Sequence, residues 1–153
     1  MGRPNGRQPD RERQPGRGRP SIRQPNREAA DAMDIVVSSL KKTWILDLDG
    51  TLLKHNGYLR GGDALLDGAK EFMDRISGDA IVLLTARSEA LRERTVDFLL
   101  ESGIRFDHII FGMPVGERIL INDAKPSGMT TALAFCKERD APVPYSVVED
   151  PRI

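Results

Sequence analysis

Thr43-Trp44-Ile45-Leu46-Asp47-Leu48-Asp49-Gly50-Thr51 is the stretch on which the fold turns. Thr43–Leu48 has strand length and is rich in β-branched, aromatic and aliphatic residues, so it predicts a buried strand. Asp49-Gly50 supplies the turn that ends it. Downstream, apolar runs and helical stripes alternate. Residues 66–77 predict a helix capped by Asp67, with Ala69, Phe72, Met73 and Ile76 on one face. Ala80–Leu84 is a strand-length apolar run. Ser88 caps a second expected helix, with Leu91, Thr95, Phe98 and Leu99 in one stripe and Gly103 at its end. His108–Phe111 and Arg118–Asn122 read as short strands, Thr130–Arg139 as a helix with Cys136 packed in it, and Tyr145–Val148 as a last strand. Strands and helices alternating at these lengths predict an α/β fold, a parallel sheet with helices on both faces.

The 153 residues suit one domain, and 23 basic side chains balance 23 acidic ones. The balance is uneven. Residues 1–30 carry eight arginines against Asp10, Glu12 and Glu28, leaving an acidic remainder. Residues 1–32 form an Arg/Pro/Gly-rich tail too poor in large apolar side chains to fold alone, which leaves 33–153 as the domain. The tail has the charge of an electrostatic arm for nucleic acid but no aromatic residue to stack on bases. A solvated tail, or a start at Met33, are the plainer readings. One cysteine excludes an internal disulfide, and no apolar stretch has the length of a membrane span or secretory signal, so a cytoplasmic location is expected.

Ligands of open parallel sheets sit beyond the carboxyl ends of the strands. Those ends here are Asp47-Leu48-Asp49-Gly50-Thr51, Thr85-Ala86-Arg87 and Asn122-Asp123. Asp47 and Asp49, two apart around a tight turn, form a pair of like charges that calls for a cation or a shared proton. Magnesium, an oxygen-seeking cation, meets that need, with Asp123 as a third anionic group.

Asp47–Thr51, Leu83–Arg87 and Ile119–Asp123 resemble, in order, the first, second and fourth signatures of the haloacid dehalogenase (HAD) superfamily. The resemblance spans about residues 43–148 and implies a three-layer Rossmann-like sheet. Its strand order would be 5-4-1-2-3, with the Asp47 strand counted first and placed at the centre. It further implies a phosphatase in which Asp47 attacks phosphorus and Asp49 serves as acid and then base. Magnesium would be held by Asp47, the Asp49 backbone carbonyl and Asp123. Thr85 and the N–H groups of Leu48 and Ala86 would hold the phosphoryl group. The family's third signature is a lysine, where this chain has Met113; Lys125 and Arg87 are the substitutes in view. Asn122 stands where many relatives carry an acid, and it can bind a metal-bound water or a ligand oxygen.

Only 33 residues separate Thr51 from Thr85, too few for a cap domain, so an open site is expected, closed if at all by homo-oligomerisation. The loop Leu53–Gly62 is the expected flap, with His55 or Arg60 against the leaving group; His108 merely starts a strand. The flap and the strings Gly116–Asp123 and Lys125–Gly128 resemble small bacterial phosphatases of capsule and surface-sugar synthesis, which points to a sugar phosphate or nucleotide-linked sugar. Two other readings stay open. One is a HAD-like binding or regulatory domain without turnover; the other is a nucleic-acid end phosphatase using the tail.

Overall fold

A computed structural model describes Gly2 and residues 33–153, so the expectations for the tail lie outside the described residues. The architecture is α/β, with parallel strands in open sheets and no barrel. β2 (Thr43–Asp47), β3 (Ala80–Leu84) and β4 (His108–Ile110) form one three-stranded sheet in that order, with Trp44 opposite Ile81 and Val82 opposite His108. β1 (Met33–Val37) and β5 (Tyr145–Glu149) form a separate parallel pair. Two α-helices, α1 (Ala69–Arg75) and α2 (Arg92–Glu101), follow β2 and β3 respectively. Parallel neighbours need a crossover, and each helix supplies one.

Burial follows the periodicity. α1 buries Ala69, Phe72 and Met73 with Ile76 at its end, and α2 buries Thr95 and Leu99. Ile81 and Leu83 of β3 are fully buried in the same core cluster. Phe72 joins the two sheets, edge-on to Trp44 at 5.7 Å and tilted against Tyr145 at 5.9 Å. The turn after β2 is tight because the Leu48 carbonyl accepts from the N–H groups of Leu52 (3.0 Å) and Leu53 (2.9 Å). That draws Leu48, Leu52 and Leu53 into the core beneath the strand end.

Several expectations are corrected. Arg118–Asn122 is not a strand and Thr130–Arg139 is not a helix: among the described residues, 112–144 contain neither. A strand needs a ladder partner and an amphipathic helix needs a surface to cover, and these segments have neither. Ile119 and Ile121 are instead 84% and 90% exposed, and Cys136, expected in the core, is exposed. β2 is therefore an edge strand rather than a central, buried one, and Ile45 is 52% exposed. Neither Asp67 nor Ser88 caps through its side chain; Gly68, at φ 79°, precedes α1. The pair β1–β5 depends on Met33–Val37, a strand the sequence reading did not include. Among the described residues no helix is long and apolar enough to cross a membrane.

Leu99 is wholly buried in the core shared by α2 and the sheet. Leu99→Ala is expected to cost about 2–5 kcal/mol by urea denaturation, while the exposed Ile121→Ser stays within about 0.5 kcal/mol.

Candidate active site

The carboxyl end of β2 carries Asp47, and the turn that follows aims Asp49 back at the end of β3. Gly50 sits at φ 84°, a left-handed conformation that a side chain would strain. The segment 137–140 wraps over this turn. The Gly50 carbonyl accepts from Lys137 Nζ and from the Asp140 N–H, each at 3.0 Å. Asp140 Oδ1 in turn accepts from the His55 N–H at 2.6 Å. The result is a shallow polar cavity of about 240 Å³ lined by Asp47, Asp49, Gly50, Thr51, Lys137 and Arg139.

Asp47 reaches solvent, yet packed protein thins its hydration, and this desolvation raises its pKa above the ordinary 3.8. The Thr51 hydroxyl, which donates to Asp47 Oδ2 at 3.0 Å, works against the rise, as do the positive charge of Arg118 and the Leu48 N–H. The negative charge of Asp49 adds to it. Lys137 is shifted the other way from its ordinary value: burial lowers it, against the pull of Asp140 and Glu138. An incoming anion in the cavity would relieve the penalty on Lys137.

Asp49 faces a different partner. Arg87, whose side chain is 1% exposed, binds it through two parallel bonds, Nε to Oδ2 at 2.8 Å and Nη2 to Oδ1 at 2.7 Å. The same guanidinium forks onto Asp63, from Nη1 at 2.9 Å and Nη2 at 2.7 Å, and Nη1 also reaches the Thr95 hydroxyl at 3.0 Å. Burial works against the charge on Arg87, but the two carboxylates outweigh it and raise its pKa, so it stays protonated. The Tyr58 ring lies over the guanidinium carbon at 4.4 Å.

The sequence-selected residues divide accordingly. Asp47 and Asp49 meet at the cavity. Thr85 is buried, and its hydroxyl lies 3.4 Å from Asp49 and accepts the Arg87 N–H at 3.1 Å. The Leu48 N–H is directed at the Asp47 carboxylate, and Ala86 is exposed. Every N–H of Arg87 is engaged, leaving none for a substrate. Asp123 and Lys125 pair with each other at 3.1 Å in an exposed loop, and the Asn122 amide donates to the Thr131 carbonyl at 3.0 Å. His55 pairs its Nε2 with the Asn56 amide at 3.1 Å, and its Nδ1 is buried without a partner among the described residues. Arg60 is exposed and His108 opens β4. Sequence reasoning missed Lys137, Arg139, Arg118 and Asp63, whose roles arise from long-range wrapping that no local pattern signals.

Among the described residues no group of three or more His, Cys, Asp or Glu side chains could hold a metal ion. The expected set, the Asp47 carboxylate, the Asp49 backbone carbonyl and Asp123, is not gathered: Asp123 pairs with Lys125 and does not line the cavity. These residues as placed do not fit a magnesium centre. No family model, curated protein or solved structure matches the chain.

The raised pKa of Asp47 has a sign for stability. Between 3.8 and the raised native value the folded state binds more protons than the unfolded one, so stability falls as pH rises through that window. Asp47→Asn is expected to abolish this fall and leave the neutral-pH fold as stable or slightly more so, the gain being small because the carboxylate touches solvent. Urea midpoints from pH 3.5 to 7 check it.

Proposed function

We propose that this chain is a phosphohydrolase that cleaves phosphate monoesters through an aspartyl-phosphate on Asp47. The observation that carries the reading is the cavity in which Asp47 and Asp49 share a wall with Lys137 and Arg139. Transferring a phosphoryl group to a carboxylate brings two anions together, and fixed cations beside them are what the reaction needs most. In the first half-reaction an Asp47 oxygen bonds to phosphorus while the ester P–O bond breaks, and the leaving oxygen takes a proton from Asp49, which must first turn from Arg87 and take up a proton from solvent. In the second, a water oxygen attacks phosphorus as Asp49 takes its proton. The bond to Asp47 then breaks and phosphate leaves. Lys137 fills the place of the lysine absent at Met113, from a loop rather than from a strand end.

The finer fold belongs to the same reading. Arg118–Asn122 pairs with the open edge of β2 when the site assembles, and Tyr145–Glu149 joins beyond it, giving the order 5-4-1-2-3 counted from the Asp47 strand, and the covering layers follow from it. That pairing satisfies the free backbone groups of β2, covers Ile119 and Ile121, and carries Asp123 toward Asp47. Magnesium would then have Asp47, the Asp49 carbonyl and Asp123, and would neutralise charge between nucleophile and phosphate. The open, cap-free mouth suits a sugar phosphate or nucleotide-linked sugar. A binding domain without turnover is the second reading, favoured by the ungathered carboxylates.

p-Nitrophenyl phosphate with magnesium separates the two. Turnover is expected, abolished in Asp47→Asn and lowered about a hundredfold in Lys137→Met. Because attack needs the ionised carboxylate and burial raises its pKa, the acid limb of kcat/KM should lie above the range of an ordinary aspartate. No turnover across a broad panel of phosphate esters favours the binding domain. Ile121→Ser should leave stability almost unchanged yet weaken activity and its magnesium dependence; unaltered activity removes the strand-addition step.

A further inference from the structure

Three cations stand about Asp47, and they differ in how much bonding each has left. Lys137 Nζ gives two of its three N–H bonds to the carbonyls of Gly50 and Glu138, each at 3.0 Å, so one remains for a ligand. Arg118 spends Nη1 on the Pro114 carbonyl at 2.7 Å and the Gly116 carbonyl at 2.9 Å, while its charge is felt at Asp47. Arg139 lines the same cavity, and its exposed guanidinium has no hydrogen bond or ion pair with any described residue. Its stem is nonetheless seated. A Cβ at Gly50 would meet Arg139 Cγ at 2.9 Å, so the stem lies close against the bare glycine of the turn. Lys137 and Asp140, on either side of it in the chain, both bond the Gly50 carbonyl. Asp140, at φ 59°, turns the chain directly after Arg139 and accepts the His55 N–H at 2.6 Å. A long side chain is thus anchored at its base with all five of its N–H bonds on offer at the cavity.

We infer that Arg139 receives a second phosphate of the substrate, which makes the substrate class small molecules phosphorylated at two positions. The inference rests on the phosphatase reading for which phosphate reacts: the one at Asp47 meets the remaining Lys137 N–H, and the other lies against Arg139. A guanidinium presents its donors in a planar fork that matches two oxygens of one phosphate, whereas an ammonium acts as a point charge. Lys137, tied to the turn that carries Asp49, suits the group in transfer. Arg139 suits a group that is held and not attacked. Two arginines and a lysine about one cavity favour a phosphate there, at about −1.5 to −2 charge, over a carboxylate. Binding at a phosphate that does not react lowers KM rather than raising kcat.

The test compares alkanediols carrying one phosphate or two, built on 1,3-propanediol and 1,5-pentanediol, by calorimetry without magnesium and by turnover with it. The wild-type chain is expected to bind the bisphosphate of at least one diol about tenfold tighter than its monophosphate. Arg139 is exposed, so its variants should fold. Arg139→Gln keeps the stem on Gly50 but removes the fork, and should cut that preference to about threefold or less. Some loss on the monophosphate is expected as well, because the charge of Arg139 also bears on the reacting group; the ratio is the readout. With magnesium the same ratio should appear in KM, with kcat for the two esters affected alike. Arg139→Lys, a charge without a fork, should recover only part of the preference. Arg94→Gln, which removes an equal charge from the exposed side of α2, should leave the preference intact. A wild-type chain with no preference, or a preference that survives Arg139→Gln or falls equally in Arg94→Gln, overturns the inference; turnover of the monophosphates then leaves the phosphatase reading standing. Arg139-dependent binding of a bisphosphate without turnover of any ester removes the phosphatase reading and leaves a binding site for two phosphates.

Discussion

Five N–H bonds of one buried guanidinium meet five acceptors drawn from three separate parts of the chain. Arg87 itself stands at the end of β3, Asp49 in the turn after β2, Asp63 at the foot of the loop and Thr95 on α2. Taking such charges out of water costs several kcal/mol per ion, and imperfect pairing would leave that cost uncompensated. Here one cation faces two anions with every donor used, so the arrangement tolerates little displacement of any member. Breaking one partner leaves a charge buried without its counter-ion. The strand ends, the loop and α2 are therefore locked to one another by an interaction that is also next to the Asp47 carboxylate.

The cavity works on a different electrostatic principle. Asp47 is held less hydrated than a free aspartate, with Lys137, Arg139 and Arg118 close enough to bias the space around it toward anions. Lys137 gives up part of its own hydration to sit on the Gly50 carbonyl. Lys137 is thus placed under a penalty that a bound anion would lessen, whereas an anion beside Asp47 would add to the penalty already there. Asp49 meanwhile is kept from sharing a cation with Asp47, because its oxygens answer to Arg87.

Local periodicity made much of the sheet and both helices legible. Ala80–Leu84 forms the central strand β3, with Ile81 and Leu83 on its buried face, and the stripe Ala69, Phe72, Met73, Ile76 is the face that α1 buries. Asp47 and Asp49 could be read because a carboxylate pair after an apolar strand has few other uses. Arg118–Asn122 and Thr130–Arg139 carry equally apolar patterns, but a pattern states only what a segment could bury, not whether a partner reaches it. Met33–Val37 was hidden by its short length beside a polar tail, and it pairs with residues more than a hundred positions away. Lys137, Arg139 and Asp63 come to the site through that kind of long-range closure. Arg87 was legible as a cation at a strand end, yet its buried role depends on Asp63, which nothing in the local sequence marks.

The bare margin of β2 and the uncovered Ile119-Leu120-Ile121 run have a bearing on how this molecule behaves in company. Unsatisfied backbone groups in a row attract any extended peptide, and a short β-prone apolar segment is what they attract best. Two copies that each lend this run to the other's margin would close as a pair, whereas one-way lending would repeat from copy to copy and build aggregates. A charge placed within the run would disfavour either pairing.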